Sequence, residues 1–468
     1  MSEALEVKDK SKKYEIDMTN GPILKKMLRF AIPVMFSGLL QLLFNAADII
    51  VVGRFAGDEA LAAVGASSSP VNLIVTLLIG LSTGVNVTVA KAYGAGREKD
   101  ISEAVHTAIL LAIIGGILMA ITGLLSCQWL LKVTGTPEEI VPLSSQYMNI
   151  LFIGIPIMSL YNFGSGIFRA RGDTKRPLYF LLAAGILNVC LNLIFVIVFH
   201  LDVVGVALAT VLSQIVSMSL IMGTLMREKG PFRLELKKLG LYKSKVKPIL
   251  VIGVPSGIQG MLFSISNMVI QSSINSFGKI VMAGSSASAS IEGFTFVAMD
   301  SCTQSAMTFT SQNMGAGKIE RIPHVFRTAV AMVTVAGLTI GNLTYLFGRP
   351  ILGIYTQNPA VVDQGMIRLM IMCVPYFICG IMNVIPGVIR GMGYSIVTTI
   401  VTIIGVCGLR IAWISTICQL PQCSTIEWVY ASYVATWVIT AIAHYIYYKL
   451  IYKKTAKRFN RETASAVI

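Results

Sequence analysis

Long apolar stretches recur along the chain from Leu28 to Leu450, and short polar segments separate them. Each stretch supplies the roughly 20 apolar residues that a helix needs to cross the hydrocarbon core of a bilayer. We predict twelve membrane-spanning helices, over residues 28–51, 60–89, 103–126, 142–168, 177–199, 203–226, 246–276, 281–311, 324–347, 366–389, 395–418 and 427–450. The pattern therefore predicts an all-α integral membrane protein.

The second half of this pattern repeats the first. The segment "RFAIPVMFSGLLQ" (29–41) matches "VIGVPSGIQGMLF" (251–263), which makes Pro33 equivalent to Pro255. The turn "AYGAG" (92–96) has its counterpart in "NMGAG" (313–317). Since each half has an even number of helices, the two halves share one topology. We therefore predict two six-helix lobes, related by a pseudo-twofold axis along the membrane normal.

These boundaries divide the chain into five segments. They are an N-terminal tail (1–27), an N-lobe (28–226), a basic linker (227–247), a C-lobe (248–450) and a C-terminal tail (451–468). A duplicated bundle of this size is typical of carriers that work by alternating access.

Composition agrees with a membrane protein, since 54% of the residues are hydrophobic and only 13% are charged. If the N-terminus is cytoplasmic, most of the 38 Lys and Arg residues fall on the cytoplasmic side. The opposite side then has only Arg54, Lys132, Lys279, Arg349 and Arg368. This asymmetry follows the positive-inside rule, so both termini should be cytoplasmic and the net charge of +15 does not indicate nucleic-acid binding. Since no signal-peptide core precedes the first span, we expect a multi-pass protein of the cell (inner) membrane.

One acid interrupts the first apolar stretch. Gln41, Asn45 and Asp48 lie on one helical face, together with Ser37 one turn earlier. A charged side chain at the centre of a membrane helix costs about 2.5–3.5 kcal/mol, so Asp48 should face protein or water. Asp48 is either a neutral, hydrogen-bonded core residue or a functional carboxylate, and the polar stripe favours the second.

Helices five and six offer partners for this acid. Asn188 and Asn192 are spaced i,i+4 on the fifth span, and Thr210 lies at similar depth on the sixth. A carboxylate with amide and hydroxyl oxygens suits either a proton or Na⁺. We therefore predict a coupling site made of Asp48, Asn188, Asn192 and Thr210, with Na⁺ at Asp48 as the only metal ion expected.

The second half has acids of its own on the eighth span. Glu292 and Asp300 are eight residues apart and lie near one face, and Arg410 on the eleventh span has about the depth of Glu292. Glu292 and Arg410 could form a structural ion pair, or either residue could have a role in transport. The sequence leaves both interpretations open. Together with Gln41 and Asn45, these two acids are candidates for a substrate cavity or a second coupling site.

Several segments resemble the MATE (multidrug and toxic compound extrusion) transporters over nearly the whole chain. They are "FAIPVMFSGLLQLLFNAADIIVVGRFAGDEALAAVG", "AKAYGAG" with "SQNMGAG", and "FRARGDTKRP" followed by "NVCLN". The resemblance implies a two-lobed exporter of organic cations or toxins, driven by inward flow of protons or Na⁺ and without a cofactor.

In this resemblance Asp48 is similar to the acid on the family's first helix, and Pro33 to the proline before it. Asn188 and Thr210 are similar to its oxygen-bearing partners. The sequence departs at Asn192, where many relatives have a second Asp, so the coupling ion stays open with protons favoured over Na⁺. A bend at Pro33 could respond to the charge state of Asp48, because proline removes a backbone hydrogen bond.

Two other classes of function fit the sequence less well. A lipid-linked saccharide flippase would need Lys or Arg in its cavity, whereas Arg410 is the only base predicted inside the membrane. An enzyme is not expected, since the sequence has no HExxH or GxSxG motif. We therefore predict a monomeric, cation-coupled antiporter that exports organic cations by alternating access, with the flippase as the alternative.

Overall fold

The computed structural model describes residues 14–467, and the side chains of residues 14–461. All regular structure in this range is helical. We label the helices of the first half α1 (Ile23–Phe55), α2 (Asp58–Gly94), α3 (Glu98–Val133), α4 (Val141–Ala170), α5 (Lys175–Leu193) and α6 (Asp202–Arg227). Those of the second half are α7 (Lys243–Asn275), α8 (Lys279–Gly315), α9 (Ile322–Leu346), α10 (Gly348–Tyr355), α11 (Pro359–Cys373), α12 (Tyr376–Gly391), α13 (Ile396–Thr402), α14 (Leu409–Thr416) and α15 (Ile426–Val467).

The predicted number of spans is confirmed. Eleven spans in the described range are long and apolar enough to cross a membrane, and α11 with α12 forms a twelfth that is bent by 44°. The helices extend beyond the predicted apolar segments; α2 and α8, for example, have 37 residues each. Polar residues at the ends of a span can remain helical outside the hydrocarbon layer, which hydropathy alone does not detect.

The tenth span corrects one expectation. Arg368, which we expected on the outer side, lies inside α11 and is 5% exposed. The span breaks between Cys373 and Tyr376, where Pro375 has no N–H to continue the helical hydrogen bonds. Arg368 is stable in this position because it forms an ion pair with Glu292 of α8.

The chain forms two compact units whose boundaries pass through two helices. Among the described residues, the first unit contains 14–17 and Phe36–Gly257, and the second contains Met18–Met35 and the residues from Ile258 onward. The boundary in α1 therefore falls just after Pro33, and the boundary in α7 falls just after Pro255. The two prolines that are equivalent in the sequence repeat occupy equivalent places in this partition.

Within the first unit, α2 packs on the start of α7 through small residues. Gly80 and Gly84 of α2 lie opposite Gly253 and Gly257 of α7, and both pairs have the spacing GxxxG. A Cβ atom on Gly80 would lie 2.2 Å from the backbone nitrogen of Gly257. Membrane helices associate through such small-residue faces, because close backbone contact replaces the hydrophobic driving force that is missing in lipid.

Charged residues hold the end of α6 to the turn between α4 and α5. Arg171 is 1% exposed, and its guanidinium donates to both carboxylate oxygens of Glu228 at 3.1 and 2.9 Å. Burial alone would raise the pKa of Glu228, but the guanidinium groups of Arg171 and Arg176 keep this pKa below its ordinary value. The ion pairs of Arg171 and Arg176 with Glu228 therefore stabilise this turn. The two arginines also count toward the positive charge that is expected on the cytoplasmic side.

Candidate functional site

Asp48 and Asn192 form the centre of a polar site in the first unit. Asp48 is half-buried on α1, and Asn192 near the end of α5 has no solvent exposure. The Nδ2 atom of Asn192 donates a hydrogen bond to Oδ1 of Asp48 at 2.5 Å. The acid on the first span thus has a direct partner on the fifth, so the carboxylate is held by protein instead of facing lipid.

Two further residues extend this contact across to α6. Asn192 Nδ2 also donates to Oδ1 of Asn188 at 3.4 Å, and Asn188 Nδ2 donates to Oγ1 of Thr210 at the same distance. Thr210 donates in turn to the carbonyl oxygen of Val206 at 3.0 Å. The structure therefore brings Asp48, Asn188, Asn192 and Thr210 into one hydrogen-bonded chain.

The backbone around this chain is irregular. Directly after Asn192 the fifth span widens into a π-helical segment, Ile194–Val198. The short turn to α6 then has positive φ angles at His200 (51°) and Asp202 (43°), a conformation that is uncommon outside glycine. This tight turn makes α5 and α6 antiparallel neighbours, and π-helical segments occur frequently at functional sites.

A cavity opens beside Asp48 in the same unit. Its volume is about 600 Å³, counting the solvent space at its mouth, and Gln41, Asn45 and Asp48 all line it. Asp48 is the only Asp, Glu, Lys, Arg or His among its lining residues. The cavity therefore has a single acidic group, and the rest of its wall consists of amides, hydroxyls, aromatic rings and apolar side chains.

The fourth span contributes residues to this wall that the sequence pattern did not reveal. Met158, Tyr161 and Asn162 of α4 line the cavity, together with Ser213 and Ser217 of α6. The spacings i,i+3 and i,i+4 in each set could have indicated a common face, but such small and mixed stripes are also frequent in ordinary helix packing.

The acids of the second unit do not line this cavity. Glu292 is buried and accepts two hydrogen bonds from Arg368, from Nε at 2.7 Å and from Nη2 at 2.9 Å. Of the two interpretations that the sequence left open, the Glu292–Arg410 ion pair is therefore wrong, because Arg368 occupies both oxygens of Glu292. Asp300 accepts a hydrogen bond from Nε2 of Gln304 at 2.6 Å. Neither acid adds a charge to the site at Asp48.

The donor set limits which ions the site could hold. In the part of the chain that the structure describes, no three His, Cys, Asp or Glu side chains form a metal-binding group. At Asp48 a cation would meet one carboxylate and neutral oxygens only. The buried Oδ1 atom of Asn192 has no hydrogen-bond partner within the described residues. It can therefore coordinate an ion, or accept a hydrogen bond from water or from a hydrated proton.

Comparison with known proteins identifies the family. The MatE family model matches twice, over residues 33–194 and 255–414. The "Probable multidrug resistance protein YoeA" of Bacillus subtilis is 26% identical over 438 residues, with 92% of this chain and 94% of that protein covered. "Probable multidrug resistance protein YpnP" of the same species is 28% identical, with 84% and 88% covered.

A solved structure agrees with the fold. A MOP superfamily transporter from Pyrococcus furiosus, 23% identical, has a TM-score of 0.87 with 94% of this chain and 98% of that chain covered. The helical fold and the family matches define a multi-pass membrane transporter of small molecules, not an enzyme. The chain belongs to the MatE family, whose members are ion-coupled transporters.

Proposed function

We propose that this protein is an antiporter that exports organic cations in exchange for protons, and that Asp48 carries the coupling proton. Asn192, Asn188 and Thr210 position the carboxylate, and Gln41 and Asn45 line the space in which the cargo binds. The observation that carries this proposal is the cavity wall, where Asp48 is the only Asp, Glu, Lys, Arg or His. A proton or an organic cation can neutralise that carboxylate, so occupancy by one disfavours the other.

The hydrogen bond from Asn192 supports protons as the coupling ion. Asn192 presents its amide nitrogen, a donor, to Asp48 at 2.5 Å. A Na⁺ ion would need an oxygen at that position, because hard cations bind oxygen ligands. Na⁺ binding would require the Asn192 amide to rotate, which would also break its hydrogen bond to Asn188.

The sign of the charge in the cavity argues against a lipid-linked saccharide as cargo. An anionic pyrophosphate head group would need bases in the wall of the cavity, and its lining residues include no Lys, Arg or His. For the P. furiosus transporter, a reverse polarity of the binding pocket suggests a different function, so pocket polarity is a relevant property. The relatives named as multidrug resistance proteins also favour export of small organic molecules.

Pro33 is proposed as a conformational residue. It lies inside α1, just before the boundary between the two units, and a proline there leaves a backbone carbonyl without its helical donor. The Pro33→Ala variant should restore a backbone hydrogen bond in this part of α1, and slow turnover without weakening cargo binding. Normal turnover of Pro33→Ala in liposomes would remove this role.

The membrane and the orientation are also part of the proposal. The distribution of Lys and Arg supports cytoplasmic termini, and with them a location in the cell membrane. Since the proposed cavity is formed by residues of a single chain, a monomer is sufficient for transport.

The test uses purified protein in liposomes. A pH gradient and a Na⁺ gradient are imposed separately, and movement of ethidium, a fluorescent organic cation, is followed. We expect transport with the pH gradient that is lost in Asp48→Asn. Asp58→Asn, which removes an exposed carboxylate at the start of α2, should retain transport and serves as the matched control.

Two outcomes would contradict the proposal. Unchanged gradient-driven transport by Asp48→Asn would remove Asp48 from coupling. Absence of ethidium transport by the wild type under both gradients would reject organic-cation antiport, and a lipid-linked saccharide would be tested next. Transport that only the Na⁺ gradient drives would still support antiport, but with Na⁺ instead of the proton as the coupling ion.

A further inference from the structure

Arg410 is a buried cation in the second unit that the proposed transport cycle does not use. It lies on α14, just after the π-helical segment Ile403–Gly408, and its solvent exposure is 0%. An arginine keeps its charge in proteins, so this position holds a permanent positive charge at membrane depth. A buried charge is stable only when other groups compensate for the loss of its hydration.

The contacts of the Arg410 guanidinium are few. Its Nη2 atom donates to Oγ1 of Thr436 at a long 3.4 Å, and its carbon Cζ lies 3.9 Å from the centroid of the Tyr433 ring. The Nε and Nη1 atoms are buried and have no hydrogen-bond partner among the described residues. The N–H groups of two guanidinium nitrogens are therefore unsatisfied, and a cation–π contact does not provide the acceptor that they lack.

No carboxylate in the described part of the chain neutralises this charge. Glu292, which the sequence left open as a partner of Arg410, is bound on both oxygens by Arg368. The titratable groups that interact with Arg410 electrostatically are Tyr433, Cys379 and Cys407, and all three types are neutral in their ordinary state at neutral pH. Within residues 14–461, Arg410 is therefore a cation without a protein anion.

The neighbouring face of α15 adds polar atoms without partners. Tyr430, Tyr433, Trp437 and Thr440 have the spacing of one helical face, and all are buried. In the described residues, the Trp437 Nε1 atom and the Thr440 hydroxyl have no hydrogen-bond partner. Trp437 packs edge-on against Tyr433, with ring centroids 6.2 Å apart, so a further N–H donor belongs to the same cluster of side chains.

We propose that Arg410 is the centre of a binding site for a small inorganic anion of halide size, with chloride as the physiological occupant. Chloride would accept hydrogen bonds along one edge of the guanidinium, where an N–H group is unsatisfied, and supply the missing negative charge. The complete burial of Arg410 favours a monatomic anion over an organic one. The site lies in the second unit and is independent of Asp48, so it adds a resident anion to a transporter of organic cations.

The first test compares chloride with gluconate, an anion too large for a buried site. We expect purified wild-type protein to melt at a higher temperature in NaCl than in sodium gluconate of equal ionic strength, with a saturable dependence on chloride, because a ligand that binds only the folded state stabilises it. Arg410→Gln should lose this dependence. Arg349→Gln removes the same charge from an exposed ion pair with Asp363, and should retain it.

Equal melting temperatures of the wild type in the two salts would overturn the proposal, as would the same chloride dependence in Arg410→Gln. A crystal grown in NaBr gives a measurement that needs no variant. We expect an anomalous bromide peak within hydrogen-bond distance of the Arg410 guanidinium, and a map without a peak there would overturn the site. Asp48→Asn should retain the chloride dependence, so failure of the antiport proposal and failure of the anion site are distinguishable.

Discussion

At the scale of single residues, the proposed choice of proton over Na⁺ depends on the residue at position 192. Asn192 donates a hydrogen bond to Asp48 and accepts none among the described residues. An aspartate in its place would offer two oxygens instead of a donor and an acceptor. The amide therefore favours a site that holds one negative charge, which a single proton neutralises.

We expect Asn192→Asp to make transport responsive to Na⁺. The second carboxylate would lie within hydrogen-bond distance of Asp48, and two acidic oxygens attract a hard cation more strongly than one. Ethidium export in liposomes at constant pH should then increase when a Na⁺ gradient is added, whereas export by the wild type should not.

Asn162→Asp is the matched control for this change. Asn162 lines the same cavity, but its amide donates to the carbonyl oxygen of Met158 at 2.9 Å instead of to Asp48. The Asn162→Asp variant introduces the same negative charge into the cavity, but not in contact with Asp48. Equal Na⁺ responses of the two variants would show that charge in the cavity matters and that the contact with Asp48 does not.

The sequence predicted which residues meet at Asp48 from three signals together: polar spacing along single helices, similar depth in the membrane, and the family resemblance. It was not sufficient to predict the partner of Glu292. Two arginines, Arg368 and Arg410, lie on spans of the same half, and periodicity does not say which helix packs against α8. Arg368 was also missed as a candidate partner of Glu292, because it lies near the end of an apolar stretch and was counted on the outer side.

At the scale of elements, the cavity depends on how closely α1 approaches α5. Phe44 lies one turn before Asp48, and its ring packs directly over Gly185 of α5. A Cβ atom at position 185 would lie 1.8 Å from the Phe44 ring, so this approach is possible only with glycine or with a displaced ring. The contact sets the distance between the helices that carry Asp48 and Asn192.

We expect Gly185→Ala to destabilise the protein by about 1–3 kcal/mol, the usual cost of overpacking a buried contact. The measurement is the melting temperature of the purified protein, followed by ethidium export. Gly115→Ala on α3 should be neutral or slightly stabilising, because a Cβ atom there meets nothing within 4 Å and alanine favours helix. Combining Gly185→Ala with Phe44→Leu should restore part of the loss; no restoration would show that the Phe44 contact is not its cause.

Hydropathy predicted all twelve spans, but not the bend between α11 and α12 or the π-helical segments. The average over a window of residues depends on composition, which these irregularities leave unchanged. The bend depends on one residue, Pro375, and the π segments depend on packing against neighbouring helices. The irregular segments nevertheless adjoin the two proposed sites, at Asn192 and at Arg410.

At the scale of the whole molecule, the distribution of Lys and Arg supports the proposed orientation, with both termini cytoplasmic. The turn between α14 and α15 contains two half-exposed cysteines, Cys418 and Cys423, on the side that should face outward.

We expect these two cysteines to react with a membrane-impermeant maleimide added to intact cells. A variant with both Cys418→Ser and Cys423→Ser should lose the label, which identifies the reacting thiols. Labelling that appears only after the membrane is permeabilised would reverse the proposed orientation.

The central claim is that cargo and proton exchange at Asp48, and the most direct measurement counts protons when cargo binds. Binding of tetraphenylphosphonium to purified protein is measured by calorimetry in two buffers of different ionisation enthalpy, so that the difference reports protons released. We expect release by the wild type and by Asp58→Asn, and none by Asp48→Asn. Binding to the wild type without proton release, or equal release by Asp48→Asn, would contradict exchange at Asp48.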